Sequence, residues 1–235
     1  MGGLLKGESD QLTLQAQGKG GAASLLVCDY RDGELRGYIQ ENPDCDSHAG
    51  ASASLGTLFG AGHLAITFDI AKTGKRYQGI VPLEGESLSA AVESYFAQSE
   101  QVPTRIITAV QSAGEKAFAA GFLLQYLPDG EEGRERLDDS EWEHVSIMAE
   151  SLRHEELADA QLPLEDLLWR LYHEEPQILV DPALEELSKG CRCTRVHFEE
   201  VLARFPKEDR RQMVDDDGII LVDCAFCSKK FAIQD

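Results

Sequence analysis

Apolar and polar residues alternate along the first third of the chain. Leu12 and Leu14 flank the polar Thr13, and the same period of two recurs in later stretches. Because successive side chains of a strand point to opposite faces, the pattern predicts strands over residues 12–17, 23–30, 35–40, 64–70 and 77–83. Asp32-Gly33, between two of them, is a strong hairpin signal. The sequence therefore predicts a meander of antiparallel strands.

A helix and two further strands complete the first predicted domain. Ser87 is a suitable N-cap, and apolar residues at helical spacing follow it as far as residue 98. Strands are predicted over 104–110 and 118–127, and the second is a nearly continuous apolar run, which is typical of a central strand. We expect residues 1–128 to form an α+β domain with a large antiparallel sheet and packing helices.

The pattern changes to charged and helical at Asp129. Between residues 129 and 189 there are 19 Asp and Glu against five Lys and Arg. A capping box beginning at Ser140 predicts one helix, and a second is predicted over 164–173, entered through Pro163. Residues 129–189 are called the acidic linker below. Two interpretations stay open: packed helices with solvated acidic faces, or a metastable element that loosens when its neighbour unfolds.

Two pairs of cysteines dominate the remaining residues, 190–235, called the cysteine segment below. The pairs are Cys191-x-Cys193 and Cys224-x-x-Cys227, and a helix over 195–205 and a strand over 219–223 are predicted between them. Four thiolates at tetrahedral distance suit Zn²⁺, so we expect one zinc ion held by these four residues. The zinc either only folds its own segment or also acts as a redox switch.

Four basic residues lie close to these cysteines in sequence. They are Arg192, Arg195, Lys229 and Lys230. Positive charge beside a sulfur favours the thiolate, the form that binds metal and is oxidised. The alternative interpretation is that these four residues are ordinary solvated surface charges.

Composition narrows the choice of partners. The chain has 235 residues, 43% of them hydrophobic, and a formal net charge of -20. This charge argues against a nucleic-acid partner and disfavours anionic membranes. No apolar run approaches the roughly 18 residues of a spanning helix, and no leader peptide is recognisable, so we expect a cytoplasmic protein. Clustered cysteines in that compartment indicate metal binding or redox activity rather than structural disulfides.

The other candidate groups are weaker. Cys28 lies within a predicted strand and is expected to be a small core residue. Cys45 with His48 offers only two ligands in a loop, and His197 would compete with a cysteine set that is already complete. No Ser/His/Asp arrangement is recognisable, so we expect no enzyme. The alternatives are an interaction module with a purely structural zinc ribbon, or a thiol oxidoreductase that uses Cys224 and Cys227.

The cysteine spacing, with three further motifs, resembles one known family. The motifs are residues 76–85, 95–105 and 167–175. Together they resemble the 33-kDa heat-shock protein family, the redox-regulated holdase chaperones. The likeness extends from about residue 12 to residue 233, and we expect the chain to lack the family's usual N-terminal segment.

The resemblance implies a function and a site. It implies a chaperone that binds unfolding client proteins after its zinc-bound cysteines are oxidised and zinc is released, and that acts as a homodimer when oxidised. It also implies the disulfides Cys191–Cys193 and Cys224–Cys227, although four cysteines allow three connectivities in principle. In this interpretation the domains are residues 1–128, the acidic linker 129–189 and the zinc redox-switch domain 190–235.

Overall fold

A computed structural model of the chain describes residues 7, 9–45, 53–112, 117–126, 138–175, 187–215 and 217–234. These residues form an α+β structure, as predicted. The strands are β1 (Gln11–Gly20), β2 (Ala23–Arg31), β3 (Glu34–Glu41), β4 (Gly60–Ile70), β5 (Lys75–Pro82), β6 (Thr104–Gln111), β7 (Phe118–Gln125), β8 (Ser188–Lys189), β9 (Ile219–Asp223) and β10 (Lys230–Gln234). The α-helices are α1 (Leu55–Phe59), α2 (Leu88–Tyr95), α3 (Asp139–Glu150), α4 (His154–Leu157), α5 (Leu164–Tyr172), α6 (Arg195–Leu202) and α7 (Lys207–Met213).

Six strands form the largest described sheet, in the order β5-β4-β1-β2-β3-β8. The predicted strands are present, but the prediction of a simple meander was wrong. The chain leaves β3 and returns through α1 to place β4 beside β1, on the far side from β2. The Asp32-Gly33 hairpin is confirmed, since both residues have positive φ, at 51° and 75°. β8 is the exception to the antiparallel order, because it pairs with β3 in parallel.

One face of this sheet carries the main hydrophobic core. α2 lies across it and buries Val92 and Tyr95 against strand residues such as Leu12 and Ile66. Ser87 is the N-cap of α2, as predicted, and its hydroxyl accepts a hydrogen bond from the amide of Ala90 at 3.1 Å. The helix continues as a π-helical turn over Phe96–Glu100.

The run over 118–127 is not a central strand. In the described part of the chain β7 pairs with β6 alone, in a separate two-stranded sheet. Its apolar side chains are covered by helices instead of by neighbouring strands. Leu152, Leu157 and Leu167 of the acidic linker pack against β6 and β7 around Ala109.

Aromatic and polar contacts reinforce this packing of the acidic linker. Phe122 stacks on Tyr172 at 6.3 Å between ring centroids, and the Tyr172 hydroxyl donates to the Val145 carbonyl at 3.1 Å. α3 begins with a capping box at Asp138, not at Ser140, because the Asp138 carboxylate accepts from the Glu141 amide. α5 is confirmed with Pro163 as its N-cap, and α4 was not predicted.

An ion-pair group joins α4 to α5. Arg153 and Arg170 both donate to the Glu156 carboxylate, at 3.1 and 2.5 Å. The hydrogen bonds from Arg153, with the nearby Arg170 charge, lower the pKa of Glu156 to about 2. Glu156 therefore keeps its charge near neutral pH, and the two arginines paired with it offset part of the repulsion among the linker's carboxylates.

The cysteine segment has its own small core, described below. Whether the chain divides at residues 128 and 189, as proposed from sequence, stays a prediction. No helix in the described ranges has both the length and the apolar character to cross a membrane.

Replacing Gly79 by alanine should destabilise the six-stranded sheet. A methyl group there would overlap the ring of Tyr95, which is 1% exposed and cannot move aside. Overpacking of this kind costs about 1–3 kcal/mol, and urea unfolding measures it. Gly121→Ala on β7 is the matched control, since its nearest neighbour would be at an ordinary 3.8 Å. Equal stability losses in the two variants would contradict the packing described for Tyr95.

Candidate metal centre

The four predicted cysteines come together at one point. The sulfurs of Cys191, Cys193, Cys224 and Cys227 all lie within 4.8 Å of one another. The Cys191 and Cys224 sulfurs are 3.6 Å apart, and those of Cys193 and Cys227 are 3.5 Å apart. A tetrahedron of sulfurs about 2.3 Å from a zinc ion has edges of about 3.8 Å. The arrangement therefore fits a four-coordinate metal ion, and these residues are called the cysteine cluster below.

The first pair of the cluster lies on a short segment between β8 and α6, outside regular secondary structure. Thr194 ends this stretch as the N-cap of α6, and its hydroxyl accepts from the amide of His197 at 3.1 Å. Thr194 itself has extended backbone angles, and the helix begins directly after it.

The second pair lies in the tight turn between β9 and β10. The amide of Ser228 donates to the Cys224 carbonyl at 2.8 Å, and the amide of Cys224 donates to the Lys229 carbonyl at 2.9 Å. Ser228 has a positive φ of 58°, which closes the turn. The predicted strand over 219–223 is confirmed as β9, whereas β10 was missed. The alternation of Phe231 and Ile233 was a signal that could have revealed β10.

Little apolar surface supports the cluster. Five described residues form the buried core of the cysteine segment: Leu202, Ile220, Cys224, Phe231 and Ile233. One of these five, Cys224, is 4% exposed and belongs to the cysteine cluster itself. Phe198 of α6 lies 4.9 Å from the Phe231 ring and links the helix to the hairpin. The helix predicted to reach residue 205 ends at Leu202, and α7, which follows it, was missed.

The cluster's thiols do not titrate alike. Burial raises the pKa of Cys191, but hydrogen bonds from the Cys193 amide and from the neighbouring sulfurs outweigh it and lower the pKa to about 7. Burial and the negative charge shared with its neighbours raise the pKa of Cys193 to about 12. Ionisation is thus easier at Cys191 than at Cys193, and a bound cation would favour the ionised form of the cluster's thiols.

Three of the four basic residues that sequence placed beside the cluster have partners outside it. Arg192 pairs with the Asp29 carboxylate at 2.7 Å, and Arg195 pairs with Glu199 at 2.8 Å. Lys229 lies over the Phe231 ring at 5.3 Å. Burial would lower the pKa of the Arg36 guanidinium on β3, but Asp29 and the Cys191 sulfur outweigh it and raise the pKa, an influence of Cys191 that sequence spacing could not reveal.

The weaker candidates do not join the cluster. His197 packs against Phe198 at 5.6 Å, and the cluster contains cysteines alone. Cys28 lies within β2, as predicted, but it is half-buried and outside the described core, and burial raises the pKa of its thiol. Cys45 has a free thiol, and its suggested partner His48 lies outside the described residues. Within the described ranges, no other group of three or more His, Cys, Asp or Glu has metal-site geometry.

Comparison with known proteins agrees with this geometry. The Hsp33 protein family matches residues 1–234. A 33 kDa chaperonin of Caulobacter vibrioides is 36% identical over 241 residues, covering 100% of this chain and 78% of the relative. One of Cronobacter sakazakii is 34% identical and covers 95% of this chain and 72% of the relative.

A solved structure supports the fold. The 33 kDa chaperonin of Thermotoga maritima superimposes with a TM-score of 0.77, covers 99% of this chain and 77% of its own, and is 21% identical. This likeness shows the shared architecture, and the sequence matches show the relationship. The chain therefore belongs to the Hsp33 protein family.

Proposed function

We propose that this family member is a redox-regulated holdase chaperone, which binds unfolding proteins after oxidation of its cysteine cluster. One observation carries the proposal: four cysteine sulfurs meet within 4.8 Å in a segment whose described core has only five buried residues. The order of such a segment depends on what the sulfurs bind, so oxidation of the sulfurs changes the fold of the segment.

In the reduced state the cluster would hold one zinc ion. Zinc bound by four thiolates supplies folding free energy of order 10 kcal/mol and keeps the sulfurs ionised. The chain's own residues suit a zinc site because the turn at Cys224 and the segment at Cys191 hold the sulfurs at near-tetrahedral spacing.

In the oxidised state the sulfurs would bond to one another. One thiolate attacks an oxygen of hydrogen peroxide and breaks the O–O bond, giving a sulfenic acid and hydroxide, and a neighbouring thiolate then displaces a second hydroxide from the sulfenic sulfur as the S–S bond forms. Each disulfide gives two electrons to one peroxide, which takes up two protons and leaves as two water molecules. Two disulfides consume all four thiolates, so no sulfur ligand remains for the metal.

Loss of the cluster should uncover apolar surface. Phe231, Ile220 and Ile233 have no alternative core within the cysteine segment. Exposed apolar patches bind the exposed apolar segments of other chains. The clients are therefore unfolded or partly folded proteins, held without a nucleotide or catalytic turnover. By family likeness, we propose a homodimer as the active oxidised form, in the cytoplasm.

The geometry does not favour a thiol oxidoreductase. A reactive Cys-x-x-Cys pair lies at the start of a helix, whose N-terminus lowers the thiol pKa. Here the pair lies in a hairpin turn that leads into β10, and burial raises the pKa of Cys224.

Zinc content tests the metal site. Cys191→Ser and Cys224→Ser should each bind less zinc and lose order in the cysteine segment, because three sulfurs remain where four are needed. Metal analysis and near-UV circular dichroism measure both effects. Cys45→Ser, outside the cluster, should keep one zinc per chain. Stoichiometric zinc in both cluster variants would contradict the assignment.

An oxidation cycle tests the chaperone activity. Peroxide with mild heat should release zinc and increase suppression of aggregation of a thermolabile test protein, because the cysteine segment loses its support. Dithiothreitol with added zinc should reverse both changes. Light scattering and a chromogenic zinc chelator measure them together. If suppression stays constant through the cycle while zinc leaves, the zinc is purely structural.

Peptide mapping tests the disulfide connectivity. The family likeness predicts Cys191–Cys193 and Cys224–Cys227, yet the 3.5 and 3.6 Å separations join sulfurs of opposite pairs. Mass spectrometry of the oxidised, unreduced protein should find each disulfide within a single pair. A linkage such as Cys191–Cys224 would show that proximity in the folded state decides the pairing.

A further inference from the structure

A buried carboxylate of the sheet lies beneath the cysteine segment. Asp29 of β2 is 3% exposed, and it points away from the main core, on the opposite face from Tyr30. Burying a charge is costly unless opposite charges and hydrogen bonds compensate for it.

Two guanidinium groups from distant parts of the chain provide that compensation. Arg36, directly opposite on β3, donates from Nε and Nη2 to one Asp29 oxygen, at 3.0 and 2.7 Å. Arg192 donates to the other oxygen at 2.7 Å, across 163 positions of sequence. Gln11 adds a longer hydrogen bond of 3.3 Å. Asp29 thus bridges one arginine of the sheet and one of the cysteine segment.

Both arginines are tied to the cluster as well. Arg192 is the single residue between Cys191 and Cys193, so fixing its side chain restrains the stretch that carries both sulfurs. The Arg36 guanidinium lies 4.3 Å from the centroid of the Phe226 ring, which stands between Cys224 and Cys227 in the second pair. The charge group therefore contacts the cluster from two directions.

Neighbouring contacts hold the two parts in the same orientation. The Phe226 ring, within the second cysteine pair, meets Tyr38 of β3 edge-on at 5.1 Å and lies 4.3 Å from the Arg36 guanidinium. The amides of Ser188 and Gly190 donate to carbonyls of the β3 hairpin at 2.9 and 3.0 Å. A side chain at position 190 would collide with Glu34, so the close approach requires glycine.

We propose that Asp29 is a positioning residue for the metal centre, which through Arg36 and Arg192 locks the cysteine segment onto the sheet and slows loss of the metal. The inference rests on the proposed function. Oxidation would remove the thiolate charges of Cys191 and Cys193, which flank Arg192 in sequence, so the same event that frees the metal also weakens the lock.

The test compares Asp29→Asn with Asp69→Asn in the full-length, zinc-loaded protein. Asp69 pairs with Arg76 directly across two strands of the same sheet, at 2.6 Å, but this pair is exposed and belongs to β4 and β5. After addition of peroxide, zinc release to a chromogenic chelator should be about tenfold faster in Asp29→Asn, because the segment detaches more easily. Asp69→Asn should change the rate less than about twofold.

Variants on the other side of the contact separate positioning from general destabilisation. Arg192→Gln should accelerate release as much as Asp29→Asn does, and the double variant should add little, because one interaction is removed twice. Arg192→Lys keeps the charge and should restore most of the slow release. The thermal midpoint of the sheet should be the same in Arg192→Gln and Arg192→Lys.

The outcomes keep the two proposals distinct. If wild-type protein binds no zinc, or peroxide does not release it, the proposed function fails. If the wild type behaves as proposed but Asp29→Asn releases zinc at the rate of Asp69→Asn, or the two substitutions at Asp29 and Arg192 add fully, Asp29 has no positioning role.

Discussion

Four thiol groups share one small volume in this protein, and the order of the cysteine segment depends on how their charges are balanced. The acidity of Cys191 and the resistance of Cys193 to ionisation are two consequences of the same crowding. A divalent cation relieves it, and disulfide bonds relieve it in a different way. The cation-bound form and the disulfide form support different structures, because only the cation joins the hairpin of β9 and β10 to the segment before α6. Under the proposed function, the change from the cation-bound form to the disulfide form is the signal.

The charge group around Asp29 extends this balance into the sheet. A cluster of four thiolates with one zinc ion carries a net negative charge, whereas two disulfides are neutral. Arg36 and Arg192 both pair with Asp29, so they link this carboxylate to the cysteine cluster, whose charge changes on oxidation. The helices of the acidic linker, by contrast, pack on β6 and β7, and the Glu156 ion pairs lie within the linker itself. The six-stranded sheet thus supports the cysteine segment, and the separate two-stranded sheet supports the linker helices.

Local features were predictable where one residue or a short period decides them. The Asp32-Gly33 turn, the Ser87 cap and the boundaries of β9 follow from φ preferences, hydrogen bonding and alternation. The four-cysteine cluster was predictable because two closely spaced cysteine pairs are typical of a sulfur-coordinated metal ion.

Three of the failures share a physical cause, since each of the three depends on contacts distant in sequence. The apolar run of β7 indicated a central strand, but helices of the acidic linker cover it, and an apolar surface does not specify what covers it. The strand order was wrong because alternation gives no information about which neighbour β1 pairs with on its second side. The role of Arg36 was missed for the same reason, because no pattern near it in sequence predicts that it lies close to the cysteine cluster.

The short strand β8 has a consequence for the sheet as a whole. Its two residues lie directly before the first cysteine pair, and they pair with the outer side of β3. If the cysteine segment detaches, β8 leaves with it, and the carbonyls of Gly33 and Leu35 lose their partners. An uncapped edge strand of this kind is a template for β-augmentation, in which an extended stretch of a foreign polypeptide adds to the sheet through main-chain hydrogen bonds regardless of its sequence.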